Sequence, residues 1–435
     1  MNEVRVGLLG CGTVGTGVLS VLTQNSDDIR ARLGVPIRVV EIAVGNLAKE
    51  RDGVVERDLL TNDPTSLVRS SHVDVVVETV GGLEPARSLI LEAFRSGKHV
   101  VTANKALLAT HGREIFAAAD AAGRDLMFEA SVGGGIPVIR MLREGLASDR
   151  LDSLYGIING TSNFILSAMT QERRAYEEVL HEAQANGYAE ADPSMDVDGT
   201  DAAQKLSILL ALAFGADVPY STILTEGIDV VQAEDIAYAR DLGYRIKSLA
   251  IGHRRDDGIE ARVHPTLIGE HAMLAAVDDV YNAIMTESRA MGTSLFYGKG
   301  AGMLPTAMSV VSDIVEVGRN LLSGTTGRLP HLAFHADMRS ERTLRPHGAI
   351  SCQHYLRFSV RDMPGVVAGI ATVLGDHSIS IAQMLQPQAA EGRQVDLVII
   401  THEAREQDVN EAIRHIEKQA AVLATTQHLR IAGEL

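Results

Sequence analysis

A glycine-rich segment near the start of the chain constrains the fold more than any other feature. The segment GLLGCGTVGTGV places Gly10, Gly12 and Gly15 directly after an apolar run and at the start of a helical pattern. In this context the first glycine permits a tight turn, the second lets a pyrophosphate approach the backbone, and the third lets helix and strand pack closely. The N–H groups around Thr13 and Val14 would face the anion. A glycine turn without a ligand is the alternative.

The first 130 residues alternate between strand-length apolar runs and helical stretches. The apolar runs are VRVGLLG, IRVVEIAV, VDVVVET, KHVVTA and DLMFEA. Helical stretches such as PARSLILEAFRSG and REIFAAADAAG lie between them and end on glycine. This alternation predicts βαβ units, and therefore an α/β fold with a Rossmann-type, doubly wound parallel sheet over residues 1–130.

The pattern changes after residue 130. Predicted helices at 162–170, 175–186 and 200–214 are followed by several strands in succession, such as RIKSLAIGH and IEARVHPTLI. Runs of helices followed by runs of strands are typical of an α+β domain, which we expect over residues 131–300.

The last part of the chain forms a further predicted unit. A helix predicted at 304–322 precedes a connector that contains glycine and proline, residues 326–351. Residues 352–435 follow the pattern strand–helix–strand–strand–helix–strand. That order predicts a ferredoxin-like βαββαβ domain.

The composition excludes several classes of protein. A net charge of −16 without a basic cluster argues against nucleic-acid binding. The most apolar run, ILLALAF, is far shorter than the roughly 20 residues needed to span a bilayer, and the N-terminus lacks a signal-peptide pattern. Two cysteines, Cys11 and Cys352, cannot form a disulfide framework. We therefore expect a cytoplasmic protein with no membrane or nucleic-acid partner.

The residues after the second predicted strand concern the choice between NAD and NADP. An NAD site usually has an acidic residue near the end of that strand, for the ribose hydroxyls. The segment IAVGNLAKERD has no acid there, and Glu41 lies inside the strand. Lys49 and Arg51 follow, and their charges favour the 2′-phosphate of NADP. Solvated charges at a helix start explain both residues equally well, so NAD stays an alternative.

The segment NGYAEADPSMDVDGTDAAQKL gathers five carboxylates around one lysine, Lys205. A calcium loop starting at Asp192 is excluded, because Val197 takes the position of the required glycine and Ala203 that of the final glutamate. Asp201 and Lys205 are four residues apart on a predicted helix and share a face. Three interpretations remain: a pocket for a cationic substrate with lysine as acid or base, an ion pair at a helix start, and a solvated charge run.

Taken together, these segments resemble the homoserine dehydrogenase family, in its monofunctional form with a C-terminal ACT regulatory domain. The resemblance covers nearly the whole chain and is most specific in GIINGTSNFIL and GYAEADPSMDVDGTDAAQKL, with TANKALLA and EASVGGGIP in matching order. It implies NAD(P)-dependent interconversion of L-homoserine and L-aspartate 4-semialdehyde, in threonine and methionine biosynthesis. It also implies that residues 300–325 return to the dinucleotide domain, that 131–300 form the catalytic and dimerisation domain, and that 352–435 form the ACT domain.

The resemblance implies roles for individual residues. Lys205 would donate the proton to the aldehyde oxygen in reduction and accept it in oxidation. Asp201 would hold the substrate or orient Lys205, and Glu190 would bind the substrate amino group. Lys105 would lie close to the nicotinamide and support substrate or cofactor binding. The sequence does not decide which lysine transfers the proton, and Lys205 is our choice.

The resemblance also implies further ligand contacts. Gly187 and Gly302 would touch the dinucleotide. A monovalent cation, sodium, would be bound in the EASVGGGIP loop by Glu129, through side chain or backbone, and by the carbonyls of Val132, Gly134 and Ile136.

The tail segment VRDMPGVVAGIA matches the ACT pattern of strand, turn and helix. By resemblance, Asp362 and the turn at Gly365 would bind an end-product amino acid, L-threonine, between paired domains, and so permit feedback inhibition. An ACT domain that only dimerises is the alternative. A homodimer or homotetramer is expected.

One position departs from the family pattern, and two rival functions remain. Gly45 stands where many relatives carry an arginine that is thought to meet the 2′-phosphate, so the resemblance does not decide for NADP. Another ACT-bearing dehydrogenase would leave NGTSNFIL beside Glu190, Asp201 and Lys205 unexplained. An amino-acid sensor would bind ligands without turnover, and the presence of Lys105 and Lys205 argues against it.

Overall fold

The computed structural model describes residues 1–51, 53–339, 343–387, 394–433 and 435. Its strands are β1 (Val4–Leu9), β2 (Ile37–Ala43), β3 (Leu60–Thr61), β4 (Val75–Glu78), β5 (His99–Thr102), β6 (Leu126–Met127), β7 (Leu151–Ile157), β8 (Leu224–Thr225), β9 (Tyr244–Arg255), β10 (Gly258–Gly269), β11 (Tyr281–Ser288), β12 (Gly292–Lys299), β13 (Ser351–Arg361), β14 (Ile381–Leu385), β15 (Gln394–Thr401), β16 (Ala404–Arg405) and β17 (Gln427–Ile431). Its α-helices are α1 (Thr13–Gln24), α2 (Ser26–Leu33), α3 (Pro64–Arg69), α4 (Ala86–Arg95), α5 (Lys105–Ala122), α6 (Val138–Arg140), α7 (Gly160–Glu172), α8 (Tyr176–Ala185), α9 (Ser194–Val197), α10 (Thr200–Phe214), α11 (Ala233–Asp241), α12 (Met303–Ser323), α13 (Val366–Asp376) and α14 (Glu406–Ile416).

The chain divides into two compact units. The first comprises Met1–Asp152, Ala203–Thr222 and Asn282–Arg342, and the second comprises the segments Ser153–Ala202, Ile223–Tyr281 and Thr343–Leu435. Residues 340–342, which belong to the predicted connector, lie outside the described residues. Within the described part of the chain, no helix is long and apolar enough to cross a membrane.

The first unit contains a six-stranded sheet in the order β3-β2-β1-β4-β5-β6. All of its strand pairs are parallel. This order confirms the predicted doubly wound sheet, in which ligands bind beyond the carboxyl ends of β1 and β4, where the direction of winding reverses. Every residue of β4 is buried, as expected for a strand covered by helices on both faces.

Helix α12 completes the core of the first unit. Its buried apolar residues recur with helical spacing and join the same core as β1 and β4; they are Ala307, Val310, Val311, Ile314 and Val317. A Cβ atom on Gly17 of α1 would lie 2.7 Å from the Met303 carbonyl oxygen. Helices α1 and α12 therefore approach so closely that α1 requires glycine there.

The prediction of a strand at DLMFEA is largely wrong. Only Leu126–Met127 form a strand, and Glu129–Ser131 form a 3₁₀ turn. The Glu129 amide donates to Asp313 Oδ2 at 2.8 Å, and the Glu129 carboxylate accepts the amides of Ile139 and Arg140 at 2.8 and 2.9 Å. These hydrogen bonds replace the pairing that a longer strand would make, and the chain continues into α6.

The second unit contains a sheet with the strand order β7-β9-β10-β17-β13-β15-β14, with β8 beside β10 and β16 beside β13. Strands β13, β14, β15 and β17 with helices α13 and α14 confirm the predicted ferredoxin-like arrangement. Arg393, the first residue of the predicted strand RQVDLVIIT, lies outside the described residues.

The C-terminal segment, from β13 to β17, shares both a sheet and a core with the rest of the second unit. Strand β17 pairs in parallel with β10, with Arg430 opposite Thr266. Apolar side chains of β13 and β17, including Tyr355 and Leu429, pack in one core with Ile165 of α7 and Ile236 of α11. The C-terminal segment is thus joined to the second unit by both backbone pairing and apolar burial.

Candidate active site

The glycine loop has the geometry of a dinucleotide site. Gly10 adopts a φ of +91°, and a Cβ atom there would lie 2.9 Å from the Thr79 carbonyl oxygen. A Cβ on Gly15 would lie 2.5 Å from the Gly10 carbonyl oxygen, whereas a Cβ on Gly12 would meet no protein atom within 4 Å. Helix α1 begins at Thr13, which is exposed, without a side-chain cap. The amides of its first turn are therefore available to an anion, with open space in front of Gly12.

A buried glutamate, Glu78, orders the loop at the end of β4. Its Oε1 accepts the amides of Val80 and Gly81, both at 2.9 Å, and its Oε2 accepts the Thr102 hydroxyl at 2.6 Å. The Thr79 hydroxyl lies 3.0 Å from the Gly10 carbonyl oxygen, to which it donates. Sequence reasoning missed Glu78, although an acidic residue that ends a wholly apolar strand was an available signal.

Lys105 lies at the same edge of the sheet as the glycine loop. It is the first residue of α5, directly after β5, and it is half-buried. Asn104 caps the helix, because its Oδ1 accepts the Leu107 N–H at 3.1 Å, and its Nδ2 donates to the Gly82 carbonyl at 2.7 Å. The backbone N–H of Asn104 donates to Thr102 Oγ1 at 3.0 Å. These hydrogen bonds fix the backbone that carries Lys105 to the loop after β4.

The residues proposed to select the cofactor follow β2. Arg51 donates to the carbonyls of Lys49 and Asn46 at 2.9 and 2.8 Å, so its guanidinium holds the loop backbone. Lys49 is exposed. Gly45 is also exposed, and a Cβ there would meet no atom within 4 Å. Gly302 precedes α12 with a φ of +121°, and the next residue, Met303, lies against Gly17 of α1, the helix that follows the glycine loop.

The EASVGGGIP loop supplies carbonyl oxygens with remaining acceptor capacity. The Gly134 carbonyl accepts the Ser309 hydroxyl at 2.6 Å, and the Ile136 carbonyl accepts Val138 N at 2.8 Å. Each of these oxygens keeps a second lone pair, and so does each oxygen of the Glu129 carboxylate, which accepts one amide at the start of α6. Both the loop carbonyls and Glu129 therefore fit the ligation of a monovalent cation.

A second buried carboxyl group, that of Asp313, lies beside this loop. Asp313 is buried and accepts the Glu129 amide, and Arg140 Nη2 donates to its Oδ1 at 3.2 Å. Burial, and then the Glu129 charge, raise the pKa of Asp313, and burial raises the pKa of Glu129. A bound cation would favour the ionised form of both carboxyl groups.

In the second unit, Asn159 brings two acids of the acidic stretch together. Its Oδ1 caps α7 by accepting Ser162 N at 2.8 Å. Its Nδ2 donates to Asp196 Oδ1 at 2.8 Å and to Asp201 Oδ2 at 2.9 Å. The segment GIINGTSNFIL therefore holds carboxylates of the segment GYAEADPSMDVDGTDAAQKL in place.

The other acids of the stretch are more exposed. Asp192 accepts the Ser194 amide at 3.1 Å, and Asp198 accepts the Thr200 amide at 2.8 Å where α10 begins, so both stabilise local turns. Glu190 is exposed. Gly187 is also exposed, follows α8, and adopts a φ of +73°.

Helix α10 carries Asp201 and Lys205 one turn apart. Asp201 is only 3% exposed and Lys205 only 8%. By the division of the chain, Asp201 belongs to the second unit and Lys205 to the first. Their burial argues against a solvated charge run at this point of the chain.

The predicted effector residues lie on an exposed turn. Asp362 and Gly365 follow β13, and Gly365 precedes α13 with a φ of +91°. Both residues are therefore accessible from solvent.

Sequence reasoning missed a buried cluster of residues of the types that bind metals. Its side chains are bonded to other protein groups. Among the described residues, Cys352, His354 and Glu406 have ligand atoms within 4.8 Å of one another. Arg430 binds both oxygens of Glu406, at 2.6 and 3.1 Å, and His354 Nε2 lies 3.1 Å from the Ala404 carbonyl, to which it donates. The groups that would ligate a metal are therefore engaged in the structure itself.

Three family models match successive parts of the chain. The model described as homoserine dehydrogenase, NAD binding domain, matches residues 10–129. The model described as homoserine dehydrogenase matches residues 137–315, and the ACT domain model matches residues 354–421.

Known proteins resemble the chain over its full length. A homoserine dehydrogenase of Pseudomonas aeruginosa is 45% identical, with 99% of each chain covered. One from Bacillus subtilis is 39% identical, over 100% of this chain and 99% of the relative. The crystal structure of a homoserine dehydrogenase from Thiobacillus denitrificans is 48% identical and superposes with a TM-score of 0.94, covering 99% of this chain and 98% of that one. The chain belongs to the homoserine dehydrogenase family.

Proposed function

We propose that the chain interconverts L-homoserine and L-aspartate 4-semialdehyde with a nicotinamide dinucleotide. The observation that carries this proposal is the pair of carboxylates, Asp196 and Asp201, held together by Asn159, with buried Lys205 one helical turn later. The carboxylates suit the ammonium group of an amino acid, and the lysine suits its reacting oxygen. This combination distinguishes an amino-acid dehydrogenase from a plain dinucleotide-binding protein.

The cofactor and the site residues have separate roles in the reaction. The bound nicotinamide supplies hydride transfer to and from the substrate carbon. In reduction Lys205 donates a proton to the aldehyde oxygen, and its positive charge stabilises the developing alkoxide; in oxidation it accepts the hydroxyl proton. Asp196, Asp201 and Glu190 hold the substrate ammonium, and Lys105 supports substrate and cofactor binding.

Comparing L-homoserine with 4-hydroxybutyrate, which lacks the amino group, tests this proposal. We expect kcat/KM for oxidation to be roughly 10²-fold or more lower for 4-hydroxybutyrate, because buried Asp201 and the neighbouring carboxylates lose their cationic partner. The rates are followed by the near-ultraviolet absorbance of the reduced nicotinamide. Equal kcat/KM values for both alcohols would contradict the role of the acids.

NADP is the proposed preferred cofactor, with NAD as the alternative. Lys49 and Arg51 support NADP by their position after β2, although the guanidinium of Arg51 already binds the loop backbone. We expect Gly45→Arg to raise the ratio of kcat/KM for NADP over NAD by about tenfold, since one charge-assisted contact with the 2′-phosphate is worth about 1.4 kcal/mol. A Cβ at Gly45 meets no protein atom within 4 Å, so the substitution is sterically permitted.

The matched control is Gly433→Arg. It introduces the same side chain at another exposed glycine with no neighbour within 4 Å, but in the C-terminal tail. The control should leave the cofactor ratio unchanged. An unchanged ratio in Gly45→Arg would remove this position from cofactor selection.

Three finer assignments complete the proposal. Sodium binds to the loop carbonyls of Val132, Gly134 and Ile136 and to Glu129, through its side chain or backbone. The enzyme serves threonine and methionine biosynthesis, and L-threonine, an end product, binds at Asp362 and Gly365 of the ACT domain and inhibits it. The enzyme acts in the cytoplasm as a homodimer or homotetramer.

A further inference from the structure

The acidic stretch rests on the backbone segment that follows β8. A Cβ on Gly227 would lie 2.7 Å from the Val197 carbonyl oxygen, and a Cβ on Gly199 would lie 2.8 Å from Thr225 Cγ2. The Ile228 amide donates to the same Val197 carbonyl at 2.8 Å. The two segments, 197–199 and 225–228, therefore touch without room for intervening side chains. A displacement of one displaces the other.

The segment after β8 is also tied to the C-terminal strand β17. Arg430, 5% exposed, forms an ion pair with Glu226 through Nη1 and binds both oxygens of Glu406. The Glu226 amide donates to the Val263 carbonyl of β10 at 2.8 Å, and β10 pairs with β17. One guanidinium thus connects the C-terminal segment to the backbone that supports the acids.

We propose that the Arg430–Glu226 ion pair positions the acidic stretch, so that the C-terminal segment controls the affinity for the amino-acid substrate and not for the dinucleotide. This inference rests on the substrate and effector roles proposed above. Of the expected dinucleotide contacts, the glycine loop, Lys105 and Gly302 belong to the first unit and only Gly187 to the second, which also contains Arg430, Glu226 and residues 197–199. An effector that lowers substrate affinity through this pair must, by linkage, bind less tightly when substrate is present.

Glu226→Ala is the informative variant. The Glu226 side chain is 32% exposed, and Arg430 keeps Glu406 as its partner, so the substitution leaves no buried charge unpaired. We expect KM and the calorimetric Kd for L-homoserine to rise about threefold to tenfold, with kcat, the dinucleotide Kd and the thermal midpoint unchanged. Glu226→Gln, which still accepts a hydrogen bond, should show a smaller rise.

Arg405→Ala is the matched control. It removes an ion pair with Asp408 at 2.8 Å in the same C-terminal segment, where the arginine side chain is 65% exposed. It should leave homoserine binding unchanged. Homoserine affinity within about twofold of wild type in Glu226→Ala would overturn the proposal, as would a lower thermal midpoint with equal losses in substrate and dinucleotide binding.

Titration with L-threonine separates this inference from the proposed regulation. We expect threonine to raise the homoserine KM of the wild-type enzyme, and to bind Glu226→Ala with the same affinity while raising KM less. Equal inhibition of both proteins would overturn the coupling role. Absence of threonine binding to the wild type would refute the proposed effector, and absence of homoserine turnover would refute the proposed function. In both cases the calorimetric homoserine Kd still decides whether Glu226 positions the acids.

Discussion

Replacing Lys205 with methionine should lower kcat for homoserine oxidation by about 10²- to 10⁴-fold, because the hydroxyl proton loses its acceptor and the alkoxide its neighbouring charge. Methionine keeps most of the side-chain volume at a position that is only 8% exposed. The fold should therefore persist, with an unchanged circular dichroism spectrum and dinucleotide Kd. Initial rates at saturating homoserine and cofactor measure the effect.

Lys105→Met is the comparison that separates the two lysines. Lys105 begins α5 at the edge of the dinucleotide sheet, so its loss should mainly raise the KM values for substrate and cofactor. A Lys205→Met enzyme that kept more than about a tenth of the wild-type kcat would exclude Lys205 as the proton donor. In that case a large loss of kcat in Lys105→Met would identify Lys105 as the proton donor.

Gly12→Ala should weaken dinucleotide binding in a protein that folds normally. The added Cβ meets no protein atom within 4 Å, and Gly12 has a φ of −89°, which alanine adopts without strain. The methyl group would occupy the space that the pyrophosphate needs against the backbone, and we expect the dinucleotide Kd to rise roughly tenfold or more. Fluorescence titration of the reduced cofactor measures Kd.

Gly53→Ala provides the control for Gly12→Ala, since a Cβ there also meets no atom within 4 Å. It should leave both the dinucleotide Kd and the thermal midpoint as in the wild type. Wild-type affinity in Gly12→Ala would show that no ligand approaches this glycine and would place the cofactor elsewhere.

The parts of the fold that depend on local signals were predictable from the sequence. The glycine loop follows a strand and precedes a helix, and both the tight turn at Gly10 and the parallel sheet follow from that context. The βαββαβ order of the C-terminal segment was visible in the hydrophobic periodicity for the same reason.

The features that escaped prediction depend on partners distant in the sequence. The strand predicted at DLMFEA ends early because Glu129 donates to Asp313, 184 residues away. The ordering role of Glu78 depends on Thr102, 24 residues later. Likewise, the pairing of β17 with β10 leaves no signal in either strand, because apolar alternation specifies a strand but not its neighbour.

The geometry of the candidate site likewise depends on residues that are distant in the sequence. Spacing alone placed Asp201 and Lys205 on one helical face, but it favoured an ion pair at the helix start over a reactive lysine. The additional information comes from Asn159, which lies 42 residues before Asp201 and gathers it with Asp196. The link between Arg430 and Glu226 spans 204 residues, so no local pattern predicts it.

The decisive measurement is the initial rate at which the purified enzyme reduces NADP or NAD in the presence of L-homoserine. We expect homoserine-dependent reduction with at least one of the two dinucleotides, and its loss in Lys205→Met. Dinucleotide binding without any homoserine-dependent reduction would contradict the proposed function.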